Sequence, residues 1–227
     1  MTPPPSPNHG PRPAGVAVDI LLLHYTGMAS GREALERLCD SAAQVSAHYL
    51  VDEDGTVHAL VHEDRRAWHA GRGSWRGEGD INSRSIGIEL VNPGHEFGYR
   101  PFPAAQMDAL TALAHDILGR HAIPPARVLA HSDIAPGRKE DPGELFDWPG
   151  LARAGIGLWP EPVPADDGVI DEPEVRALLT RFGYDATEDL KTVLFAFQRH
   201  FHPQNLTGRP YPESVRRLRA LVRQAGL

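Results

Sequence analysis

The feature that most constrains the fold is an apolar run that stops at a histidine, and it occurs twice. Ile20–Leu23 is followed by His24, and Val128–Ala130 is followed by His131. Short continuous apolar runs of this kind predict buried strands. We therefore expect both histidines to lie at the ends of buried strands, where their rings can point out of the core.

The residues after His131 form a second informative segment. His131–Gly143 contains Pro136 and Pro142, each of which removes an amide donor, so it cannot be one continuous helix. It predicts a rigid loop that presents the carboxylate of Asp141. Either histidine alone is more often a buried, hydrogen-bonded residue than a ligand. Two strand-end histidines and a loop carboxylate together would form a three-ligand zinc site with an open position, as catalytic zinc requires.

The intervening sequence alternates between helix and strand patterns. Apolar residues at helical spacing predict helices over 31–43 and 103–121. Asp54-Gly55 between two strand-like runs, 46–51 and 56–61, predicts a hairpin. A further strand is expected over 85–91, in which Glu89 is the one charged residue.

Composition narrows the partners and the compartment. The 227 residues carry a net charge of -7, which argues against a nucleic-acid partner. Cys39 is the single cysteine, so an internal disulfide is excluded, and the apolar run at 16–23 is too short to span a bilayer. Residues 1–7 lack the basic and apolar regions of a signal peptide, so we expect a cytoplasmic protein, with the periplasm or cell envelope as the alternative.

Proline content suggests how the chain is divided. Residues 158–168 alternate proline with other residues, which is typical of a stiff linker. Helical spacing beyond it predicts three short helices over 172–182, 190–201 and 212–225. The predicted units are an extended proline-rich arm, a main domain, a linker and a three-helix domain, over 1–15, 16–157, 158–168 and 169–227.

Five short motifs occur in an order that resembles a known family. They are Leu23–Thr26, Val45–His48, Arg66–Gly71, Ser85–Glu89 and His131–Gly143. Their order and spacing are similar to the zinc-dependent N-acetylmuramoyl-L-alanine amidases of the second amidase family, and to its anhydromuramyl-peptide amidases in particular. The resemblance covers roughly residues 15 to 155. The segments 178–184 and 195–201 of the tail resemble a three-helix peptidoglycan-binding module.

The resemblance implies a fold, a reaction and roles for particular residues. The fold is α/β, a mixed central sheet flanked by helices, with a small all-α domain after it. The reaction is hydrolysis of the amide between the lactyl group of (anhydro-)N-acetylmuramic acid and L-alanine, so the partners are peptidoglycan fragments or muropeptides. One catalytic Zn2+ is held by His24, His131 and Asp141. Glu89 is the general base, and Lys139 stabilises the oxyanion.

Other interpretations of these residues stay open at this point. Glu89 could instead pair with Arg84 or Arg66, since burying an unpaired carboxylate costs several kcal/mol. Lys139 could be a solvated loop lysine.

Tyr25, Trp68 and His69 are the candidate substrate-binding residues. Tyr25 and Trp68 flank the expected site and could instead pack its wall. His69, like His48, could orient a ligand or a loop through a ring N–H.

Two other functions also remain. A non-catalytic peptidoglycan-recognition protein has the same fold but loses a zinc ligand, whereas all three are present here. A zinc hydrolase acting on an unrelated amide is the other. The missing signal peptide favours recycled anhydro-muropeptides and a wall-binding tail favours intact peptidoglycan, so the form of the substrate is open, as is the oligomeric state.

Overall fold

A five-stranded sheet forms the centre of the molecule. The computed structural model describes residues 5–161, 170–185 and 187–227. The sheet has the order β4-β3-β6-β2-β7, and a separate two-stranded sheet joins β1 to β5. The strands are β1 His9–Pro11, β2 Ile20–Tyr25, β3 Tyr49–Val51, β4 Val57–Ala59, β5 Arg65–Ala67, β6 Ser85–Leu90 and β7 Val128–Ala130.

The three central strands run in the same direction. Strand β2 lies between β6 and β7 and is parallel to both, and its register places His24 beside Glu89. Strand β3 is parallel to β6, and only β4, its hairpin partner, is antiparallel. The carboxyl ends of parallel strands meet at one edge of a sheet, where α/β proteins bind their ligands. His24, Glu89 and the residues after β7 therefore share that edge.

Helices cover both faces of this sheet. Within the described residues they are α1 Gly31–Cys39, α2 Ile81–Arg84, α3 Gly94–Phe97, α4 Ala104–Arg120, α5 His131–Ile134, α6 Trp148–Arg153, α7 Glu172–Phe182, α8 Leu190–Phe201 and α9 Pro212–Gln224. Successive side chains of a strand point to opposite faces. Leu21 and Leu23 of β2 accordingly pack with α4, whereas Ile20 and Leu22 pack with α7, α8 and α9. The sheet and the three C-terminal helices thus share one hydrophobic core.

Several sequence predictions are confirmed, with small differences at the ends. The hairpin and the strand at 85–91 form, and the helix expected at 103–121 is α4. The helix expected at 31–43 ends at Cys39, because Asp40 adopts extended backbone and its carboxylate caps a separate 3-10 turn. The segment after β7 begins with one helical turn, α5, because the Asp133 carboxylate accepts the amide of Ala130 at 2.8 Å.

The predicted division of the chain meets the structure only in part. Residues 1–4 of the arm and 162–168 of the linker lie outside the described residues, and β1 of the arm pairs with β5. In the described part of the linker, Trp159 lies 5.5 Å from the guanidinium of Arg217 on α9. The domain boundaries stay a prediction. No helix in the described ranges has both the length and the apolar character needed to cross a membrane.

Candidate active site

A cleft of about 720 Å³ opens at the carboxyl edge of the parallel strands. One wall comes from α1, which Ser30 caps by accepting the Glu33 amide at 3.2 Å. The opposite wall is the segment 137–141, and His24, Glu89 and His131 lie on the floor. Non-adjacent parts of the chain therefore meet in one polar depression.

Three of the predicted residues converge at the bottom of the cleft. His24 Nδ1 lies 2.9 Å from His131 Nδ1, and each of these nitrogens lies 3.0 Å from Asp141 Oδ2. All three side chains are buried, and among the described residues they are the group that could hold a metal ion. Two imidazoles and one carboxylate are a donor set of the kind that catalytic zinc uses.

The outer nitrogens of both histidines are tied to the protein. His24 Nε2 lies 3.0 Å from His69 Nδ1, and His131 Nε2 lies 2.9 Å from the carbonyl of Ala70. With both Nδ1 atoms facing Asp141, the protons belong on the Nε2 atoms, which donate to these partners. Such outward hydrogen bonds fix the tautomer and the ring direction of metal-binding histidines.

The charge states also fit a cation. Burial, together with the nearby His131, lowers the pKa of His24 to about 4, so its ring is neutral at pH 7. Burial alone would raise the pKa of Asp141, but His131 and His24 outweigh it and hold that pKa far below its usual range. The neutral His24 ring beside the ionised Asp141 carboxylate is the protonation state that a metal ion requires of its ligands.

Glu89 stands beside this group without a partner of its own. Its Oε2 is buried and has no hydrogen-bond partner among the described residues. Burial and the negative charge of Asp141 raise the pKa of Glu89 well above its ordinary value. The alternative ion pairs do not form, since Arg84 bonds Asp19 at 2.5 Å and Arg66 bonds Asp80 at 2.8 Å. A carboxylate held in this way is poised to exchange a proton.

His69 reaches His24 because the strand beneath it carries a glycine. A Cβ on Gly87 would lie 2.4 Å from the His69 ring, so no larger residue fits there without displacing that ring. His69 Nε2 lies 3.3 Å from the hydroxyl of Ser85, which donates in turn to the Ile81 carbonyl. His69 lines the cleft, as a substrate-binding residue should, but its contacts favour an orienting role toward His24.

The remaining predicted residues also line the cleft. Lys139 is half-buried, and its charge acts on both His24 and Glu89. Tyr25 and Trp68 form part of the walls, with the Tyr25 hydroxyl 2.9 Å from His95 Nδ1. The structure thus brings every predicted site residue to one cleft, while the individual roles stay predictions.

Some residues of the site were not found from the sequence. The Asn82 side chain accepts the amides of His69 and Ala70 at 3.0 and 2.8 Å and so shapes the loop behind both histidine ligands. His95 and Arg37 line the cleft rim. Nothing in their local sequence separates them from ordinary polar residues, because their importance comes only from three-dimensional proximity.

Comparison with known proteins identifies a matching family and several relatives. A family model described as N-acetylmuramoyl-L-alanine amidase matches residues 14–144. The N-acetylmuramoyl-L-alanine amidase AmiD of Escherichia coli is 38% identical over 234 residues, which cover 92% of this chain and 84% of AmiD. The 1,6-anhydro-N-acetylmuramyl-L-alanine amidase AmpD of Enterobacter cloacae is 33% identical over 63% of this chain and 84% of its own length.

Solved structures agree with the architecture described above. The E. coli AmiD complex with anhydro-N-acetylmuramic acid-L-Ala-D-gamma-Glu-L-Lys superposes with a TM-score of 0.83 at 37% identity, covering 94% of this chain and 93% of AmiD. AmpDh3 of Pseudomonas aeruginosa superposes with a TM-score of 0.86 at 34% identity, covering 95% of each chain. Both matches extend through the C-terminal helices as well as the sheet.

Proposed function

Because this chain belongs to the N-acetylmuramoyl-L-alanine amidase family, we propose that it cleaves anhydro-muropeptides with a zinc ion held by His24, His131 and Asp141. The reaction is hydrolysis of the amide that joins the lactyl group of muramic acid to L-alanine of the stem peptide. The observation that carries the proposal is the unpartnered Glu89 carboxylate beside the three converging ligand atoms. A recognition protein without catalytic activity would have no use for that pair of features.

The proposed ligands hold the metal, and neighbouring residues orient the ligands. When bound, zinc supplies Lewis-acid activation of water and of the amide carbonyl. His69 and the Ala70 carbonyl keep the Nδ1 atoms of His24 and His131 directed into the site. Asp141 supplies the one negative charge among the ligands.

Glu89 moves the proton. Its carboxylate takes a proton from the attacking water and returns it to the nitrogen of the departing L-alanine. A general base works best when its pKa lies near the operating pH, and the upward shift at Glu89 is in that direction. The carboxyl needs no rearrangement first, because Oε2 has no other partner to release.

Lys139 stabilises the charge that develops on the carbonyl oxygen. It lines the same cleft as Glu89, two residues before Asp141, and its positive charge acts to lower the pKa of Glu89 against the larger effect of burial. A preorganised donor of this kind contributes about 2.7–4 kcal/mol when tested by removal. Tyr25 and Trp68 offer flat surfaces on the walls against which a sugar or peptide can pack.

The anhydro form of the substrate is supported by the relatives. AmiD was solved with an anhydro-muramyl tripeptide and AmpDh3 with an anhydromuramic pentapeptide. Both relatives match this chain over more than nine-tenths of its length. We therefore place this enzyme in cell-wall turnover or recycling.

Mass spectrometry of released stem peptide tests the proposal. Zinc-loaded protein is incubated with a mixture of anhydro- and reducing-end muropeptides, with and without a chelator. We expect chelator-sensitive release from the anhydro form and recovery when zinc is restored. Release from both forms would make it a broad muramoyl amidase and would overturn the anhydro assignment.

Two histidine variants test whether zinc binding depends on the proposed ligand or on any histidine of the chain. His24→Gln removes a proposed ligand, whereas His62→Gln changes a histidine whose side chain is 77% exposed. We expect His24→Gln to lose zinc and activity and His62→Gln to keep both. Loss of neither in His24→Gln would contradict the ligand assignment.

A further inference from the structure

Helix α8 lies along the segment that carries two of the proposed ligands. The segment, residues 131–144, meets α8 at its beginning, middle and end. Asp133 bonds His200, and a Cβ on Gly137 would lie 2.7 Å from Thr192. At the far end, Arg199 lies 3.5 Å from Glu140 and 3.4 Å from Glu144. One C-terminal helix therefore contacts this segment at four positions between Asp133 and Glu144.

The strongest of these contacts is at Asp133. Its Oδ2 accepts from the amide of Ala130 at 2.8 Å and from Nδ1 of His200 at 2.7 Å, and its Oδ1 accepts from the Tyr184 hydroxyl at 2.6 Å. The side chain is completely buried. Two of its three donors thus come from the C-terminal helical region, 50 or more positions away along the chain.

The position of Asp133 determines the direction of His131. The bond from the Ala130 amide to Asp133 closes across His131, which is the first residue of α5. His131 has its own outward bond to Ala70, so its ring is set by two supports, one on each side of the sheet-to-helix turn. The Asp133 carboxylate thus helps to fix the backbone turn from which His131 directs Nδ1 at Asp141, 3.0 Å away.

His200 is itself held so that it can serve as a support. Its ring stacks between Trp148, at a centroid distance of 3.6 Å, and Phe201, at 3.7 Å. The side chain is 1% exposed. A ring fixed on both faces can direct Nδ1 at Asp133 without a choice of rotamer.

We propose that His200 is a positioning residue for the metal site, acting through Asp133 on His131, so that the C-terminal helices set the affinity for zinc. This inference rests on the proposed function. It assigns the helices a part in the chemistry in addition to any contact with the cell wall. Tyr184, just after α7, donates to the same carboxylate and contributes to the same positioning of Asp133.

The zinc affinity of the full-length chain tests the inference. The dissociation constant for zinc ion alone is measured by competition with a chelating dye, well below the unfolding temperature. We expect His200→Leu to weaken zinc binding about 10- to 100-fold, as losses behind a ligand commonly do. His200→Asn should restore most of the affinity, because its amide nitrogen can donate from the position of Nδ1.

The matched control is His202→Leu. His202 is also buried in the helical region, but its ring nitrogens face Ser214, at 2.8 Å, and Glu213, at 3.6 Å, which both lie on α9 and not in residues 131–144. Its replacement should lower the melting temperature to a similar extent and leave the zinc affinity within about twofold. If His200→Leu does not fold, Tyr184→Phe replaces it, with an expected weakening of roughly fivefold, the worth of one hydrogen bond.

The outcomes separate this inference from the proposed function. Equal zinc affinities in the His200 and His202 variants, at equal loss of melting temperature, would overturn the positioning role while leaving the zinc enzyme intact. An unaltered affinity in Tyr184→Phe would do the same. A wild-type chain that binds no zinc would overturn the proposed function, and this inference with it.

Discussion

The two faces of the central sheet are built on different principles. Toward α4, strand β6 presents the apolar residues Ile86, Ile88 and Leu90. On the opposite face, the alternate residues of the same strand are Ser85, Gly87 and Glu89, of which Glu89 lines the cleft and Gly87 leaves room for the His69 ring. One strand therefore has a face that stabilises the fold and a face that serves the site. The comparison indicates that the two functions are separable by single substitutions.

Glu89→Gln gives the largest expected effect, and it is on activity. Loss of the general base should lower kcat by about 10²–10⁴-fold. The free energy of unfolding at pH 7 should stay the same or rise, because a carboxyl with a raised pKa costs stability when it is ionised in the fold. Muropeptide hydrolysis measures the change in kcat, and urea denaturation measures the change in the free energy of unfolding. A marked fall in stability would show that Glu89 belongs to the structural face after all.

Leu110→Ala is expected to lower the stability of the fold and leave the activity unchanged. Leu110 of α4 is fully buried in the apolar cluster, so its truncation should lower the free energy of unfolding by about 2–5 kcal/mol. Below the unfolding temperature, kcat/KM should be unchanged. Asp108→Ala, on the exposed side of the same helix, is the control and should alter neither quantity. A change in kcat/KM for Leu110→Ala would show that the two faces are coupled.

A polar cluster at the carboxyl end of α4, centred on Glu63, gives the smallest expected effect. Burial would raise the pKa of Glu63, but hydrogen bonds from Arg120, Tyr49 and His121 outweigh it and lower that pKa to about 2. A lowered pKa stabilises the fold above the unfolded value near 4.5, and the benefit is lost as the pH falls toward 2. Allowing for solvent around the half-exposed Arg120, we expect a loss of about 1–2 kcal/mol over that range.

Comparison with Glu63→Gln isolates this contribution. The variant should be less stable than wild type at pH 5, and the difference should shrink as the pH falls toward 2. Urea denaturation at several pH values measures both. A difference that stayed constant across the range would rule out the ionised cluster.

Local patterns in the sequence were sufficient for elements that depend on near neighbours. Helix α4 and the β3–β4 hairpin follow from spacing and from Asp54-Gly55. The predicted residues of the cleft could be found because each ends a strand or lies in a recognisable motif, whereas His95 and Arg37 have neither signal. The pairing of Asp133 with His200 could not, because the two residues are 67 positions apart in the sequence and no pattern links them. For the same reason, the sequence does not predict the core shared by β2 and the C-terminal helices.

The order of the parallel strands also bears on how the protein is made. Of the parallel strands, β2 is synthesised first, and its neighbours β6 and β7 begin only at residues 85 and 128. The run from Ile20 to Leu23 is fully buried in the finished fold. Until β6 and β7 are synthesised, it has neither of the strands that pair with it. Translation of the roughly 100 residues between β2 and β7 takes about 5 to 20 seconds. During that interval the apolar strand that later positions His24 lacks its partners, and unpaired apolar strands make an incomplete chain prone to aggregation.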